Sequence, residues 1–332
     1  MPLNRRAIIR PKHRTGNGEI AVKKLTESDA TTKHAYLFMV HSNFPVVQAA
    51  FRIIDDPRND IFVRAEGEED IYAQVHLKHS KVHVVNCKTA AVWGGTIHRA
   101  EMELIKFAAQ SGKYGYLHLL SESCLPIKTQ DEIHSFFDSN PENPIYLHVN
   151  CHVFPEIQDR CKTKYPFVNR YWFRKSKWIK ALALAMVKTK IAFGVNRLKH
   201  NQELPVIWGG WNWFSIPGDF AAYVVEKESL IYQTFDNTLA ADEVFLQTLA
   251  MNSRFRDRMY GFDGRDDAQN ASKRMINWNK KHWTPLVFTA RDYDAIMANK
   301  NCFFARKFYA DVDMEIVRKL EVALTGESPI LL

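Results

Sequence analysis

Between His34 and Asn140 the chain alternates short apolar runs with stretches of helical spacing, and this alternation constrains the fold more than any other feature. HAYLFMVHS (His34–Ser42), DIFVRAE (Asp60–Glu66), KVHVVNC (Lys81–Cys87) and YGYLHLL (Tyr114–Leu120) are apolar runs of strand length closed by polar residues. FPVVQAAFRIID (Phe44–Asp55) carries apolar groups at Val47, Phe51 and Ile54, the spacing of a helix. TIHRAEMELIKFAAQSG (Thr96–Gly112) ends on a glycine stop, and TQDEIHSFFDSN (Thr129–Asn140) opens with the Thr129/Glu132 pair of a capping box. Strand–helix alternation on this scale predicts an α/β domain, Rossmann-like, with a mostly parallel sheet flanked by helices. The run ending at Leu120 delivers Ser121, Glu122, Ser123 and Cys124 to its C-terminal edge, where open α/β sheets bind ligands.

Past residue 150 the alternation weakens, and a basic, aromatic insertion runs from about 155 to 205. VIWGGWNWFSI (Val206–Ile216) then reads as strand, and GDFAAYVVEKE (Gly218–Glu228) and ADEVFLQTLAMNS (Ala241–Ser253) as helices. No Gly/Ser linker divides the chain, so we expect one domain over 34–325, preceded by a basic arm over 1–33. The N-terminus has no apolar core of a secretory signal. Lysines 180, 188 and 190 break up Trp178–Val195, the most apolar stretch, so no transmembrane segment is expected. An amphipathic helix packed on the protein is the first expectation there, and peripheral membrane contact the second. Five cysteines without CxxC spacing argue for reduced thiols, no zinc site and a cytoplasmic location.

The formal net charge of +8 favours an anionic partner. Arg160 to Lys177 interleaves cations with Tyr and Trp, but no RNA-binding motif accompanies it, so nucleic acid is set aside. Phosphate-binding GxGxxG and GxxxxGK[ST] loops are missing, as are GxSxG and HExxH. DVD (Asp311–Asp313) stands where acids complement a helix dipole, which needs no metal. Arg306 and Lys307 of FFARKF are either snorkelling cations on a strand edge or a phosphate clamp. Asp242 and Glu243 are either dipole-complementary acids at a helix start or, for one of them, a general base. In WGGWNWF, Trp211 and Trp213 either pack in the core or offer a sugar platform beside two glycines.

These segments stand in the order of a known family. VWGGTIHRAEMELIKFA (with Trp93), YLHLLSESCLPIKT, GGWNWFSI, ADEVFLQTLAMNS and CFFARKF together resemble the core-2/I-branching family of glycosyltransferases, from about His34 to Leu320. That family includes branching β-1,6-N-acetylglucosaminyltransferases and peptide O-xylosyltransferases. The resemblance implies a variant GT-A fold that uses a UDP-sugar with no metal or other cofactor. It puts the catalytic carboxylate on Glu243 and the diphosphate-binding cations on Lys307 and Arg274, with Arg306 beside them. Ser121, Glu122, Trp93, Trp211 and Trp213 would border the sugar and acceptor. Where the family reads His-x-Asp-x-Lys, this chain reads VRAEGEE, with Glu66 at the Asp position.

The implied reaction is inverting transfer of a sugar, N-acetylglucosamine first, to a glycan hydroxyl. Glu243 would take the hydroxyl proton while the cations offset the charge growing on the leaving UDP. A UDP-xylose-dependent protein O-xylosyltransferase is the alternative. A non-catalytic carbohydrate- or polyanion-binding protein is the alternative of another class.

Overall fold

The computed structural model describes residues 32–67, 69–86, 95–279, 281 and 284–327, so Trp93 lies outside the described residues. The strands are β1 His34–Val40, β2 Asn59–Ala65, β3 Lys81–Val84, β4 Tyr116–Ser121, β5 Cys124–Pro126, β6 Tyr146–Leu147 and β7 Phe214–Pro217. They continue with β8 Arg274–Ile276, β9 Trp278–Asn279, β10 Thr284–Pro285 and β11 Phe304–Arg306. The main sheet has the order β3-β2-β1-β4-β7-β6. Its first four strands are parallel, and β7 runs antiparallel to both β4 and β6. This is the mostly parallel, helix-flanked α/β sheet expected from the strand–helix alternation, and it is consistent with a GT-A-like fold.

The parallel strands are covered on both faces, which is why β1 and β2 read as near-continuous apolar runs rather than as alternating ones. The helix Phe44–Ile54 opens on Pro45 and buries Val47, Phe51 and Ile54. The helix Ile97–Ser111 buries Met102, Leu104 and Ile105. The Thr129/Glu132 capping box forms at the start of the helix Gln130–Asp138, with the Thr129 amide donating to the Glu132 carboxylate at 2.8 Å. Of the DVD acids, Asp313 is used as a cap: it accepts from the amides of Glu315 and Ile316, and from Ala290 N at 2.8 Å. These backbone bonds hold its carboxyl below the usual range.

Strand order reverses between β1 and β4, because β2 and β3 lie on one side and β7 and β6 on the other. The crevice outside the carboxyl ends of β1 and β4 is therefore the ligand position that this topology favours. A second sheet, β5-β11-β8, carries the C-terminal part of the chain to that edge. In it β11 pairs antiparallel with β5, setting Arg306 opposite Cys124.

Two local expectations differ from what forms. Only Phe214–Pro217 of the Val206–Ile216 run is strand. Its first half is an irregular segment whose backbone groups are taken by side chains. Thr248 bonds both the amide and the carbonyl of Trp208, and Gln247 donates to Trp211 O at 2.8 Å. The Ala241–Ser253 stretch splits into a 3₁₀ turn, Ala241–Glu243, and a helix, Phe245–Met251. Ala240 stands in the left-handed region before the turn, so Glu243 is presented by a short loop and not by a helix.

A buried polar chain runs beneath the sheet. Arg274 Nη2 donates to Ser215 Oγ at 3.2 Å, leaving the Ser215 hydroxyl to donate to His118 Nδ1 at 2.7 Å. His118 Nε2 then donates to His34 Nδ1 at 3.1 Å, and His34 Nε2 to Asp138 at 3.1 Å. Both histidines are therefore neutral. Burial lowers His34 to about 4, against the opposing pull of Asp138, and takes His118 well below the ordinary value of 6.5. A histidine with a lowered folded pKa gives stability that is complete above the unfolded value and drains away as pH falls through it. Urea unfolding should therefore show a loss of about 2–3 kcal/mol from His34 between pH 6.5 and 4. His34→Gln should flatten that limb; an unchanged limb would remove His34 as its source.

Candidate active site

Three segments meet at the C-terminal edge of β1 and β4. The turn after β4 is tightly held: Ser121 Oγ lies 3.2 Å from Ser123 Oγ and 3.4 Å from Cys124 Sγ. Glu122 is mostly buried, with its carboxylate 3.5 Å from His41 Nδ1 at the end of β1. Asn43 ties the segments together from a left-handed backbone position. Its Nδ2 donates to Glu122 O at 2.8 Å and to Phe308 O at 2.9 Å, and its Oδ1 accepts from Ala310 N at 3.0 Å. The chain after β11 is thus stapled to the turn after β4, with Phe308 N donating to Ser123 O at 3.0 Å as well.

This staple brings Lys307 beside Glu122. Partial burial, together with the neighbouring Arg306 guanidinium, lowers the Lys307 ammonium from its ordinary value, while Glu122 opposes the shift. Arg306 stacks over the Trp213 ring at 4.2 Å. Trp213 is itself buried, and Arg306 covers one of its faces, so the partly exposed Trp211 is the better placed of the two to meet a ligand. Trp211 sits between His148 and Trp278, at ring distances of 5.8 and 5.6 Å. Gly210 is required at the bend: a Cβ there would lie 1.9 Å from His148 O. Glu66 stands one residue beyond β2 on the same sheet edge, accepting from Arg64 Nη1 at 2.9 Å, and its amide donates to Val40 O at 3.2 Å.

Arg274, expected among the diphosphate cations, is buried in this structure. Its side chain is 1% exposed, and it donates to Ser272 O, Phe214 O, Leu119 O and Ser215 Oγ. It also lies 4.0 Å over the Phe304 ring. The Nη groups of this guanidinium serve four protein oxygens and its plane an aromatic ring, while its buried Nε has no hydrogen-bond partner. Burial lowers it to about 10, still charged at neutral pH.

The carboxylate arm begins where Gly210 N donates to Glu243 O at 2.9 Å. Glu243 is 48% exposed, and its Oε2 accepts from Arg160 Nη1 at 2.9 Å. Its neighbour Asp242 is buried, and the amide of Asn212 reaches toward both Asp242 Oδ2 at 3.5 Å and Glu101 Oε1 at 3.4 Å. Burial, with Glu243 adding to it, pushes Asp242 up to about 7. Burial and then Asp242 push Glu101 well above the carboxylate range. Asp242 is therefore not the dipole-complementary surface acid that a helix start would supply. Of three neighbouring acids, Glu243 alone meets solvent.

Asn43, His41, Asn212 and Glu101 escaped the sequence reading as site residues, and Arg160 entered it only as part of the basic stretch. Glu101 left a signal, since it lies on the apolar stripe of its helix with His98, Leu104, Ile105 and Ala108. Asn43 left only its position, just before the Phe44–Pro45 helix start.

A family model described as "Core-2/I-Branching enzyme" matches residues 34–300. Among curated proteins, "Xylosyltransferase sqv-6" of Caenorhabditis briggsae is 24% identical over 282 residues, covering 75% of this chain and 31% of that protein. "Xylosyltransferase 1" of Homo sapiens is 24% identical over 280 residues, 77% of this chain and 26% of that protein. "Xylosyltransferase oxt" of Drosophila melanogaster is 20% identical over 328 residues, 91% and 35%. The chain thus spans roughly a quarter to a third of the length of these relatives.

A carboxyl whose folded pKa is raised loses stability as pH climbs from its unfolded value to its folded one. Asp242→Asn removes that loss. At pH 8 the variant should be more stable than the parent by about 1–3 kcal/mol, and at pH 4.5 the two should nearly coincide. Denaturant melts at both pH values check this, and equal destabilisation at both would show that Asp242 is ionised in the fold.

Proposed function

The chain belongs to the Core-2/I-Branching enzyme family, and from that premise we propose that it is a glycosyltransferase moving a sugar from a UDP-sugar to an acceptor hydroxyl, with inversion and without a metal. The observation that carries the reading is the stapling of Arg306 and Lys307 to the β4 edge by Asn43, with one segment touching both sides of the site: Gly210 N bonds Glu243 O and Trp213 lies under Arg306. Lys307 and Arg306 would meet the diphosphate. In a partly desolvated position a fixed cation offsets leaving-group charge more strongly than in water.

Glu243 would accept the acceptor proton. Solvent reaches its carboxylate, whereas Asp242 and Glu101 are enclosed behind it. Arg160 holds Glu243 before substrate arrives, and an acceptor hydroxyl would compete for the same carboxylate. Asp242, raised to about 7, and Glu101, raised well above the carboxylate range, would add less negative charge beside the base than two ordinary carboxylates. Metal independence rests on the cation pair, and on the use of Asp313 as a helix cap.

Two donors follow from different observations. The relatives' printed names favour UDP-xylose, and the family description favours the N-acetylglucosamine transfer of branching enzymes. Release of UDP from a panel of UDP-sugars in excess EDTA tests donor and metal together. Activity that appears only with manganese would end the metal-free reading, and no UDP release from any donor would favour a carbohydrate-binding protein. Glu243→Gln should lower transfer by about 10²–10⁴-fold with UDP affinity kept. Lys307→Ala should weaken UDP by about tenfold, the value of one charge-assisted hydrogen bond. Near-parental transfer by Glu243→Gln would move the base to another carboxylate.

A further inference from the structure

The helix Lys177–Ala192 does not pack as its sequence leads one to expect. Among its side chains only Ala183 and Val187 are buried, with Ile179 and Ile191 partly covered, a single i, i+4 row. They rest on Tyr165, Val168 and Phe173. The helix also has a second apolar face. Trp178, Leu182, Ala185, Met186 and Phe193 follow at helical spacing on the side turned to solvent, with Thr189 the polar member of that stripe. Trp178 is 86% exposed and Phe193 84%, one near each end. Surface helices of soluble proteins normally turn a polar face outward.

The charge around this face is equally one-sided. Residues 160–202 carry twelve lysines and arginines and no aspartate or glutamate, so the +8 of the whole chain becomes −4 without them. Helical spacing sets Lys177 and Lys188 along one border of the exposed stripe and Lys190 along the other. Nearby, Phe167 and Trp172 are also exposed, with their rings 5.4 Å apart.

We propose that this helix is an interfacial element that lays its outer apolar face into an anionic lipid bilayer, the bordering lysines meeting the headgroups. A bilayer offers an apolar layer and a sheet of negative charge in one surface, which matches both properties of the face. A second copy of the chain matches only one. A two-fold contact through this face would set lysine rows against lysine rows with no acid in 160–202 to answer them. Nucleic acid would satisfy the cations and leave Leu182 and Met186 without an apolar partner. The helix is not a membrane span: none of the described helices is long and apolar enough to cross a bilayer.

The position of the helix gives docking a consequence. Arg197, from the same basic segment, donates to Asp236 O at 2.9 Å and also bonds Thr238, and Tyr165 N donates to Asn237 O at 2.8 Å. Arg160 pairs with Glu243. The loop that presents Glu243 is thus tied to the segment that would lie on the lipid, so docking holds that carboxylate near the bilayer surface.

Flotation of the whole chain with vesicles tests the proposal, and its readout does not depend on sugar transfer. The protein should rise with vesicles containing about one-third phosphatidylglycerol and stay behind with pure phosphatidylcholine. Trp178→Ser with Phe193→Ser should lower partitioning about tenfold or more and leave the melting temperature nearly unchanged, since both side chains stand in solvent. Lys177→Gln with Lys188→Gln should lower it about fivefold per lysine at low salt, and less at high salt. Failure of the parent protein to float with either vesicle overturns the proposal, as does flotation that ignores the Trp178/Phe193 pair. A dimer in light scattering that dissociates on that same substitution, without flotation, would put a second copy on the face instead.

Discussion

One buried cation links the six-stranded and the three-stranded sheets of this protein. Arg274 sits at the start of β8 in the smaller sheet and reaches the larger one, bonding the carbonyls of Leu119 on β4 and Phe214 on β7 while its plane lies over Phe304 of β11. Arginine suits this task because its planar fork serves several acceptors at once and stacks on a ring. Its partners are carbonyl and hydroxyl oxygens rather than a carboxylate, so the charge is stabilised by dipoles alone. Removing such a group leaves buried carbonyls unpaired, which costs about 1–3 kcal/mol for each. The position of β11, and with it of Arg306 and Lys307, depends on this clamp.

From that constraint the candidate site divides into two parts of opposite character. On one side a backbone staple through Asn43 locks two cations against the end of β4, with Glu122 as their partial counter-charge. On the other, three acids crowd within reach of Asn212 or one another, and burial forces two of them toward the protonated form. Like charges so placed cannot all ionise cheaply, and the solvated member, Glu243, has a nearby cation in Arg160. The inverting transfer proposed above would use such a separation of roles, with positive charge at the leaving group and one carboxylate at the acceptor.

How much of this could be read from the chain varied with the kind of signal. The parallel sheet was legible because fully covered strands leave continuous apolar runs, and the helix capped by Thr129 because its capping box is a local pattern. The Val206–Trp213 segment misled, since aromatic and β-branched residues there look like strand while the backbone bonds go to Thr248 and Gln247, far along the chain. The burial of Arg274 was hidden for a related reason: a cation near an aromatic run looks the same whether it faces a ligand or the core. The outward apolar face of Lys177–Ala192 was hidden because a helix with two apolar faces shows no clear periodicity. Glu101 and Asn212 gained their meaning only when folding brought them beside Asp242.

The central claim is that ligand binding occurs at the β1/β4 edge between the cation staple and the tryptophan segment. Amide hydrogen–deuterium exchange with and without UDP tests it most directly, because it reports where protection falls without assuming which residue acts. The account predicts slower exchange with UDP in residues 121–124, 208–214 and 304–309, with little change along the Lys177–Ala192 helix. Protection elsewhere, with those three segments unchanged, would contradict it.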